Sequence, residues 1–574
     1  MTYTCGRSVV IRSIEDDCWC VIYQEHRAAP TVARFSPRGN LVASGDANGN
    51  LHIWSWERNG KVKTRKELQA LQGSIKDIRW SPDGQRVVCC GEGKQTRARC
   101  LLWESGTNLG EFDGISKIAN TCDFRPVKPF LIVTGSEDFQ INVYAGPPFK
   151  FKSSNRGHLN FVNCVRFSPD GKCFVSCSSD SKIIVHSAEE DLVLGECKDG
   201  EKAHNASVYA VDWSNDGQRL LSASADKTAK LWDMREITDP RLIQTFTFGM
   251  DPSLNQMQVG CICVSKSLVT VSLGGTLNVL DPGQPNAPCK QIRGHCRSIT
   301  AIAGSLEGEF FSGSYDGQVS VWANEKVKSQ VKLHTNGVVG LRMLEGTLVS
   351  CGLDNVLVFS NHGSRELSIS LEAAPVGMCT CPNQENLFVL TTKGMVFVRG
   401  RSIVSSTPLG FDASSIAASP GAKVVAVGGK DGKIRLFTHE DGRLTGEPVL
   451  LERHRGQVTC LQFSSDGEML ASACSNRETL VWDMPSKSIK KSRMVYHSAR
   501  IDCLSFSPSN SHLATGSLDE SIIVYDLGKP ASARMEYKHA HASGSSGMVW
   551  QEDGLLITAG RDGTIRAWRV PISE

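Results

Sequence analysis

The sequence predicts an all-β protein made of two seven-bladed β-propellers in tandem, and three observations carry that prediction. A unit of the form F/W-S-P-D-G, then L-x-S-x-S-x-D, then an apolar residue with W-D recurs along the whole chain. Its period fits a four-stranded blade, and fourteen units can be counted. The clearest copy runs Trp213-Ser-Asn-Asp-Gly217, Leu221-Ser-Ala-Ser-Ala-Asp226 and Leu231-Trp-Asp233. The residues closing successive units are Trp54, Trp103, Tyr144, His186, Trp232, Leu280, Trp322, Phe359, Phe397, Phe437, Trp482, Tyr525 and Trp568. They lie 37 to 49 residues apart, which is the period of a propeller blade and too long for leucine-rich, ankyrin or tetratricopeptide units.

Each element of the unit has a physical reading. Alternating segments such as Val208–Trp213 are half-buried strands, and the S-P-D-G and D-G pairs make the turns between them. A single blade cannot bury both faces, so blades stack around an axis, and ring closure removes the exposed edges. The fourteenth unit comes from the N-terminus, where Arg7-Ser-Val-Val-Ile-Arg-Ser13 resembles a third blade strand with its first two strands missing or very short. The expected partition is a first propeller over residues 19–325 and a second over 326–574, completed by residues 1–18. In it, residues 20–25 and 329–334 act as outer strands that latch the two rings. The alternative places the N-terminal unit in the first ring and moves the boundary to about 285–293.

Composition sets limits on function. The chain has 574 residues, with 63 Lys and Arg against 60 Asp and Glu, and this balance gives no polyanion-binding character, so no nucleic-acid partner is expected. The basic runs 61–66 and 487–493 are expected to be solvated hairpin loops. No leader-like segment opens the chain and no apolar run approaches membrane-spanning length, so no membrane partner is expected and a cytoplasmic location is. The 21 cysteines lie scattered in strand-like stretches without a paired CxxC, which reads as buried, reduced thiols and no metal site.

Residue types that suggest catalysis recur too often to be an active site. An aspartate stands six positions before the closing residue in seven units, as Asp138, Asp180, Asp226, Asp316, Asp431, Asp519 and Asp562, with Asn48 and Asn476 in two more. A Ser-His-Asp triad occurs once per active site, whereas this set repeats blade after blade, so a structural hydrogen-bond network is expected. In the best-preserved unit it comprises His204, Ser222, Asp226 and Trp232. No phosphate-binding loop, metalloprotease or hydrolase motif has a suitable setting, and Gly91-Glu-Gly93 with Lys94 lies on a hairpin. His539 and His541 lack a third ligand at metal spacing. No polar cluster at a central funnel is evident. Neither catalytic residues nor cofactors are expected.

Departures from the repeat point to binding. The second unit expands its turn into a polar hairpin over residues 91–99, and the third ends in Tyr144-Ala-Gly-Pro-Pro-Phe-Lys-Phe-Lys152, which leads to Phe161. The prolines stiffen this connection, and alternation predicts that Phe149 and Phe151 point the same way. They either pack under a neighbouring blade or form a preorganised aromatic patch for a partner protein.

These segments resemble the actin-interacting protein 1 family, whose members carry two WD-repeat propellers and work with cofilin on actin filaments. The match is carried by Gly91-Glu-Gly-Lys94, Thr134-Gly-Ser-Glu-Asp138, Gly146-Pro-Pro-Phe-Lys-Phe151, Phe161-Val-Asn-Cys-Val-Arg-Phe-Ser-Pro-Asp-Gly171, Ser222-Ala-Ser-Ala-Asp-Lys-Thr228 and Ser312-Gly-Ser-Tyr-Asp-Gly317. The resemblance implies a monomeric, non-enzymatic protein of the cytoplasmic actin cytoskeleton. It binds cofilin-decorated filaments, promotes severing and disassembly, and restrains barbed-end regrowth. The resemblance also places Glu137, Phe151 and Phe161 at the centre of the partner-binding surface, with Phe149 beside them. Gln95 stands where the family has an acidic residue, and Glu92 is the nearby carboxylate that can replace it. A general WD-repeat scaffold unrelated to actin is the alternative function.

Overall fold

The computed structural model describes every residue except 15–18, 111, 250–253, 265–266, 284–287, 293, 296, 305–308, 324–325, 362–363, 382–384, 441 and 573–574. Among the described residues the protein is all-β, with one short 3-10 turn at Leu254–Gln256, and no helix is long and apolar enough to cross a membrane. The strands form fourteen antiparallel sheets, each built from consecutive strands. In chain order they occupy residues 2–23, 30–69, 75–102, 119–155, 162–197, 208–247, 258–292, 299–332, 338–370, 375–408, 413–452, 458–494, 501–537 and 545–569. We number them sheets 1 to 14. Sheets 1, 3 and 14 have three strands and the others four.

The chain divides into two compact units, residues 1–293 and 294–574, so each unit holds seven sheets. Within each unit the first strands of successive sheets lie against one another in sequence order. In the second unit Ile299–Gly304 of sheet 8 also packs against Ser545–Glu552 of sheet 14, completing a circuit. In the first unit, Lys290 Nζ of sheet 7 donates to the Ile14 carbonyl, 2.9 Å away.

This division falls at 293/294, whereas the expected boundary was 325/326 and its alternative about 285–293. Lys326–Lys332 pairs with Gln318–Ala323 of its own sheet, because a short connection favours an antiparallel hairpin over a distant latch. Cys20–Tyr23 likewise pairs with Ser8–Arg12 and not with sheet 8. Ser8–Arg12 is the middle strand of its sheet, since Thr2–Cys5 precedes it and pairs with it across a tight turn. Gly6 in that turn has φ of 57°, which glycine adopts without steric cost. The basic runs also differ from expectation: most of their residues lie in the outer strands Val62–Gln69 and Ser488–Met494.

Burial follows position within a sheet. Second strands such as Leu131–Ser136 and Cys173–Ser178 are buried throughout, and the outer strand Val62–Gln69 alternates between half-buried and exposed. Apolar side chains fill the gaps between sheets; between sheets 5 and 6 these include Cys177, Val185, Trp213, Leu220 and Trp232. Of the 21 cysteines, nineteen are described and most of these are buried. A second device joins neighbouring sheets. The polar residue after the first position of an inner strand donates to the carbonyl that opens the next sheet. Asn120 Nδ2 reaches Val162 O at 3.2 Å, Asn163 Nδ2 reaches Val208 O at 2.8 Å, and Ser414 Oγ reaches Val458 O at 2.7 Å. Thr31, Thr300 and Thr459 make the same bond to Ile75, Val338 and Ile501.

Candidate functional site

The serine, histidine and aspartate residues form the recurring network. His204 Nδ1 meets Asp226 Oδ2 at 2.9 Å, His204 Nε2 meets Ser222 Oγ at 2.8 Å, and Trp232 Nε1 donates to the same hydroxyl at 2.9 Å. His158, Ser176 and Asp180 repeat the set in sheet 5, with His186 in the tryptophan position. His497, Thr515 and Asp519 repeat it in sheet 13, and His541, Thr558, Asp562 and Trp568 in sheet 14. His541 therefore has a structural hydrogen-bonding role. Two carboxylates were missed because they stand off the counted position. Asp354 serves His334 in sheet 9, and Asp46, not Asn48, faces His26 in sheet 2.

Each histidine in these sets is buried, and its ring spans from a turn to the middle of its sheet, so its bonds hold an entering loop to the blade. Burial pushes Asp180 up, but hydrogen bonds from His158 and from the Leu159 and Lys182 amides outweigh it and hold the carboxyl at about 2. Burial alone or above all lowers other histidines: His186 to about 3, and His26 and His295 to about 4. A histidine with a folded pKa below its unfolded value of about 6.5 stays neutral while the unfolded chain binds protons. Its stabilisation is therefore full above pH 6.5 and is lost as the pH falls toward 4. The depressed carboxylates act lower, below about pH 4. Melting temperature should thus be flat above pH 7 and fall between pH 6.5 and 4.5; a flat profile across that window would refute the assignment.

The proposed partner residues fall at two edges of sheets 3 to 5. Glu92 and Gln95 lie in the turn after Arg86–Gly91, and Glu137 lies in the equivalent turn after Leu131–Ser136. Phe161 immediately precedes Val162–Phe167. Antiparallel pairing puts all four at the same edge of their sheets. Phe161 is exposed, and its ring centroid is 5.8 Å from that of Phe139. Lys117 Nζ lies 5.8 Å from the Phe139 centroid, and Leu159 is 79% exposed. Gln95 is exposed, and Glu92 is half-buried with one carboxylate oxygen 2.7 Å from Lys76 Nζ.

Phe151 is exposed but sits at the opposite edge. It pairs with Tyr144, whereas Asn155 pairs with Ile141 beside the Glu137 turn; four extended residues, about 13 Å, separate those levels. Phe149 does not share its exposure. It is completely buried, with its ring edge-on to Phe124 at 5.6 Å and its amide donating to Leu109 O at 2.8 Å. Alternation holds within one strand, but Lys150–Asn155 begins after Phe149, and a bulge interrupts its pairing between Val143 and Tyr144. A Cβ added at Gly110 would come within 2.8 Å of Phe149, so this glycine lets the ring seat.

Phe139 and Leu159 were missed from the sequence. The signal for Phe139 was Asp138-Phe139 standing where other units have D-G, D-K or D-S. The structure gives Phe139 a φ of 70°, the left-handed turn conformation that Ser181, Lys227, Arg477 and Glu520 share at the equivalent positions. The absence of a polar cluster at a central opening is also corrected. A cavity of about 580 Å³ in the second unit is lined by Thr300, Ser414, Thr459, Arg500, Asp502 and Arg561, among others. Its threonine and serine hydroxyls are committed to the inter-sheet bonds described above. Arg561 and Arg500 both pair with Asp502, at 2.7 and 2.6 Å.

Comparison with known proteins agrees with the repeat. The family model described as "WD domain, G-beta repeat" matches residues 18–55, 65–97, 149–187, 195–233, 286–323, 447–483, 490–526 and 535–569. The chain is 40% identical to Actin-interacting protein 1-2 of Arabidopsis thaliana and 35% identical to Actin-interacting protein 1 of Drosophila melanogaster. It is 33% identical to WD repeat-containing protein 1 of Gallus gallus. These alignments cover 99% of the chain and 93–94% of the relatives. With the WD repeat running through both units and the similarity spanning almost the full length, the chain belongs to the actin-interacting protein 1 family of WD-repeat proteins.

Proposed function

We propose that each unit is a seven-bladed β-propeller and that the protein binds cofilin-decorated actin filaments, promotes their disassembly and restrains barbed-end regrowth, without catalysis. The observation that carries the partner-binding reading is the pair of exposed side chains Phe161 and Leu159, with half-buried Phe139 behind Phe161, beside Glu137. Large apolar side chains on a rigid blade edge, next to a carboxylate, suit a protein partner, because the scaffold pays little ordering entropy on binding. Phe151, on the far edge of the same blade, serves a second contact of the same partner or of its neighbour in the filament. Gln95 contributes hydrogen bonding without charge. The names of the relatives supply the choice of actin.

Binding accelerates disassembly only if it favours the cofilin-deformed filament over the bare one, since a ligand shifts an equilibrium by its differential affinity. Filament sedimentation tests this. Wild type should raise unpolymerised actin only when cofilin is present, and Phe161→Ala should weaken that effect by roughly tenfold or more, as hot-spot truncation does, with the melting temperature unchanged. Full activity of a Phe151→Ala/Phe161→Ala protein would refute the site. Absence of any binding to cofilin-coated filaments would favour the scaffold reading.

A further inference from the structure

Sheet 12 departs from the repeat in a way that changes its chemistry. In sheet 6 the histidine of the network is followed 20 residues later by Ser224, 22 later by Asp226 and 24 later by Thr228. The hydroxyl of Thr228 and the carboxylate of Asp226 both bond His204 Nδ1. Sheet 13 repeats this with His497, Ser517, Asp519 and Ser521. In sheet 12 the corresponding residues are His454, Cys474, Asn476 and Glu478. A thiol replaces the first hydroxyl, a longer carboxylate replaces the second, and the short carboxylate is gone.

The result is a set of three different ligand types around one buried nitrogen. His454 Nδ1, the Cys474 thiol and a Glu478 oxygen all lie within 4.8 Å of one another. The His454 side chain is fully buried, and its Nδ1 has no hydrogen-bond partner. Its Nε2 lies 2.8 Å from Ser472 Oγ, which also accepts from Trp482 Nε1 at 2.9 Å. The tautomer with the proton on Nε2, donated to Ser472 Oγ while that hydroxyl turns to the Leu480 carbonyl, leaves a bare Nδ1 lone pair toward Cys474 and Glu478. An orphaned buried nitrogen costs about 1–3 kcal/mol, and the neighbouring networks avoid that cost with an aspartate.

We propose that His454 Nδ1, Cys474 Sγ and the Glu478 carboxylate form a zinc-binding site, with water from the Glu478 side as the fourth ligand. Mixed nitrogen, sulfur and oxygen donors in a tetrahedron are zinc chemistry. The His454 Nδ1 to Glu478 Oε2 distance of 3.5 Å is close to the ~3.4 Å edge expected for metal bonds of about 2.0–2.2 Å. On binding, the thiol releases its proton to water. One thiolate and one carboxylate then neutralise Zn²⁺. Ser472 fixes the imidazole tautomer and orientation from behind, as outer partners of metal-bound histidines do. Burial pushes the free Cys474 thiol up, while the Glu478 and Asn476 amides favour its thiolate. The ligands escape a search for CxxC because they come from a loop, a strand end and the turn that follows it. A second cluster, His26, Asp46 and His52, is less suited. Its imidazoles stack face to face at 3.9 Å, so their lone pairs run side by side without converging.

This site stands apart from the filament-binding role and is tested without actin. Co²⁺ titrated into the full, metal-stripped chain should give thiolate-to-cobalt absorption saturating at one equivalent and bleached by Zn²⁺. Cys474→Ser should abolish the absorption, and Glu478→Thr should weaken binding by at least roughly tenfold, the loss typical when even an outer partner of a metal ligand is removed. Both changes restore residues found at these positions in sheet 6, so the metal-free melting temperature should hold. Cys20→Ser and Cys289→Ser, at the exposed thiols, should leave the signal intact. No saturable absorption in wild type, or its persistence in Cys474→Ser, would overturn the proposal.

Discussion

Truncating Phe149 to alanine is expected to destabilise the first unit by about 3–5 kcal/mol, the range for fully buried phenylalanines. The same change at Phe151 should cost well under 1 kcal/mol, as for exposed positions. The two residues stand two apart in a segment that reads as one aromatic stripe, yet their surroundings are opposite. Phe149 packs with Phe112, Phe124 and Tyr144 in the gap between sheets 3 and 4. That pocket is held open by rigid sheets and cannot collapse around a missing ring, so both the lost transfer energy and the cavity count. Phe151 is 46% exposed and touches the Tyr144 ring from outside, at 6.0 Å between centroids. Hydrogen exchange resolves the prediction locally. Amides of Ala119–Phe124 and Ile141–Ala145 should lose protection in Phe149→Ala and keep it in Phe151→Ala. Equal protection in both variants would mean that Phe149 is not part of the core.

The fourteen-fold repeat and the His-Ser-Asp-Trp network were legible because each rests on residues at fixed spacing with local geometric cause. The turn aspartate bonds the amide two residues on, as Asp226 does with Thr228, and so marks the turn wherever it occurs. What the sequence concealed depends on pairing choices that periodicity does not encode. Strand Lys326–Lys332 has the same outer-strand pattern whether it hairpins onto its own sheet or latches a distant one, so the boundary between units was ambiguous until pairing was known. Phe149 was misplaced because alternation was carried across the end of a strand. Phe139 was overlooked because a turn position was treated as interchangeable among units. In sheet 12 the opposite lesson holds. Cys474, Asn476 and Glu478 are substitutions at aligned positions of a visible repeat, but their meaning emerges only when His454 is seen to have lost its partner.

The inner strands of the first unit hide one further regularity, and it carries the second large effect. Arg34, Arg79, Asp123, Arg166 and Asp212 each stand just before the aromatic residue that ends an inner strand, so sheets 2 to 6 bring three arginines and two aspartates to the same level. Asp77 lies at their centre. It accepts from Arg166 at 3.0 Å, from Arg34 at 3.5 Å, from Thr121 Oγ1 at 3.1 Å and from the Cys122 amide at 3.4 Å. One carboxylate thereby ties sheets 2, 3, 4 and 5. Burial opposes its ionisation, but Arg166, Arg34 and Arg79 outweigh burial and hold its carboxyl well below the usual carboxylate range. A folded pKa below the unfolded one means that the stabilisation is complete at neutral pH, begins to fade below about pH 4 and is lost as the pH falls through the folded value. Asp77→Ala should cost about 3–5 kcal/mol at pH 7, because it removes the carboxylate that the Arg166 and Arg34 guanidinium groups both bond. Asp77→Leu combined with Arg166→Met should recover much of that loss, since replacing a buried pair by apolar residues is often neutral. Exchange protection in sheets 2 to 5 should fall in the single variant, while sheets 8 to 14, which lack this carboxylate, serve as the internal reference. Unchanged protection in Asp77→Ala would show that the arginines are satisfied by water or by Asp123 and Asp212, and that the Asp77 carboxylate contributes specificity of sheet order and not stability.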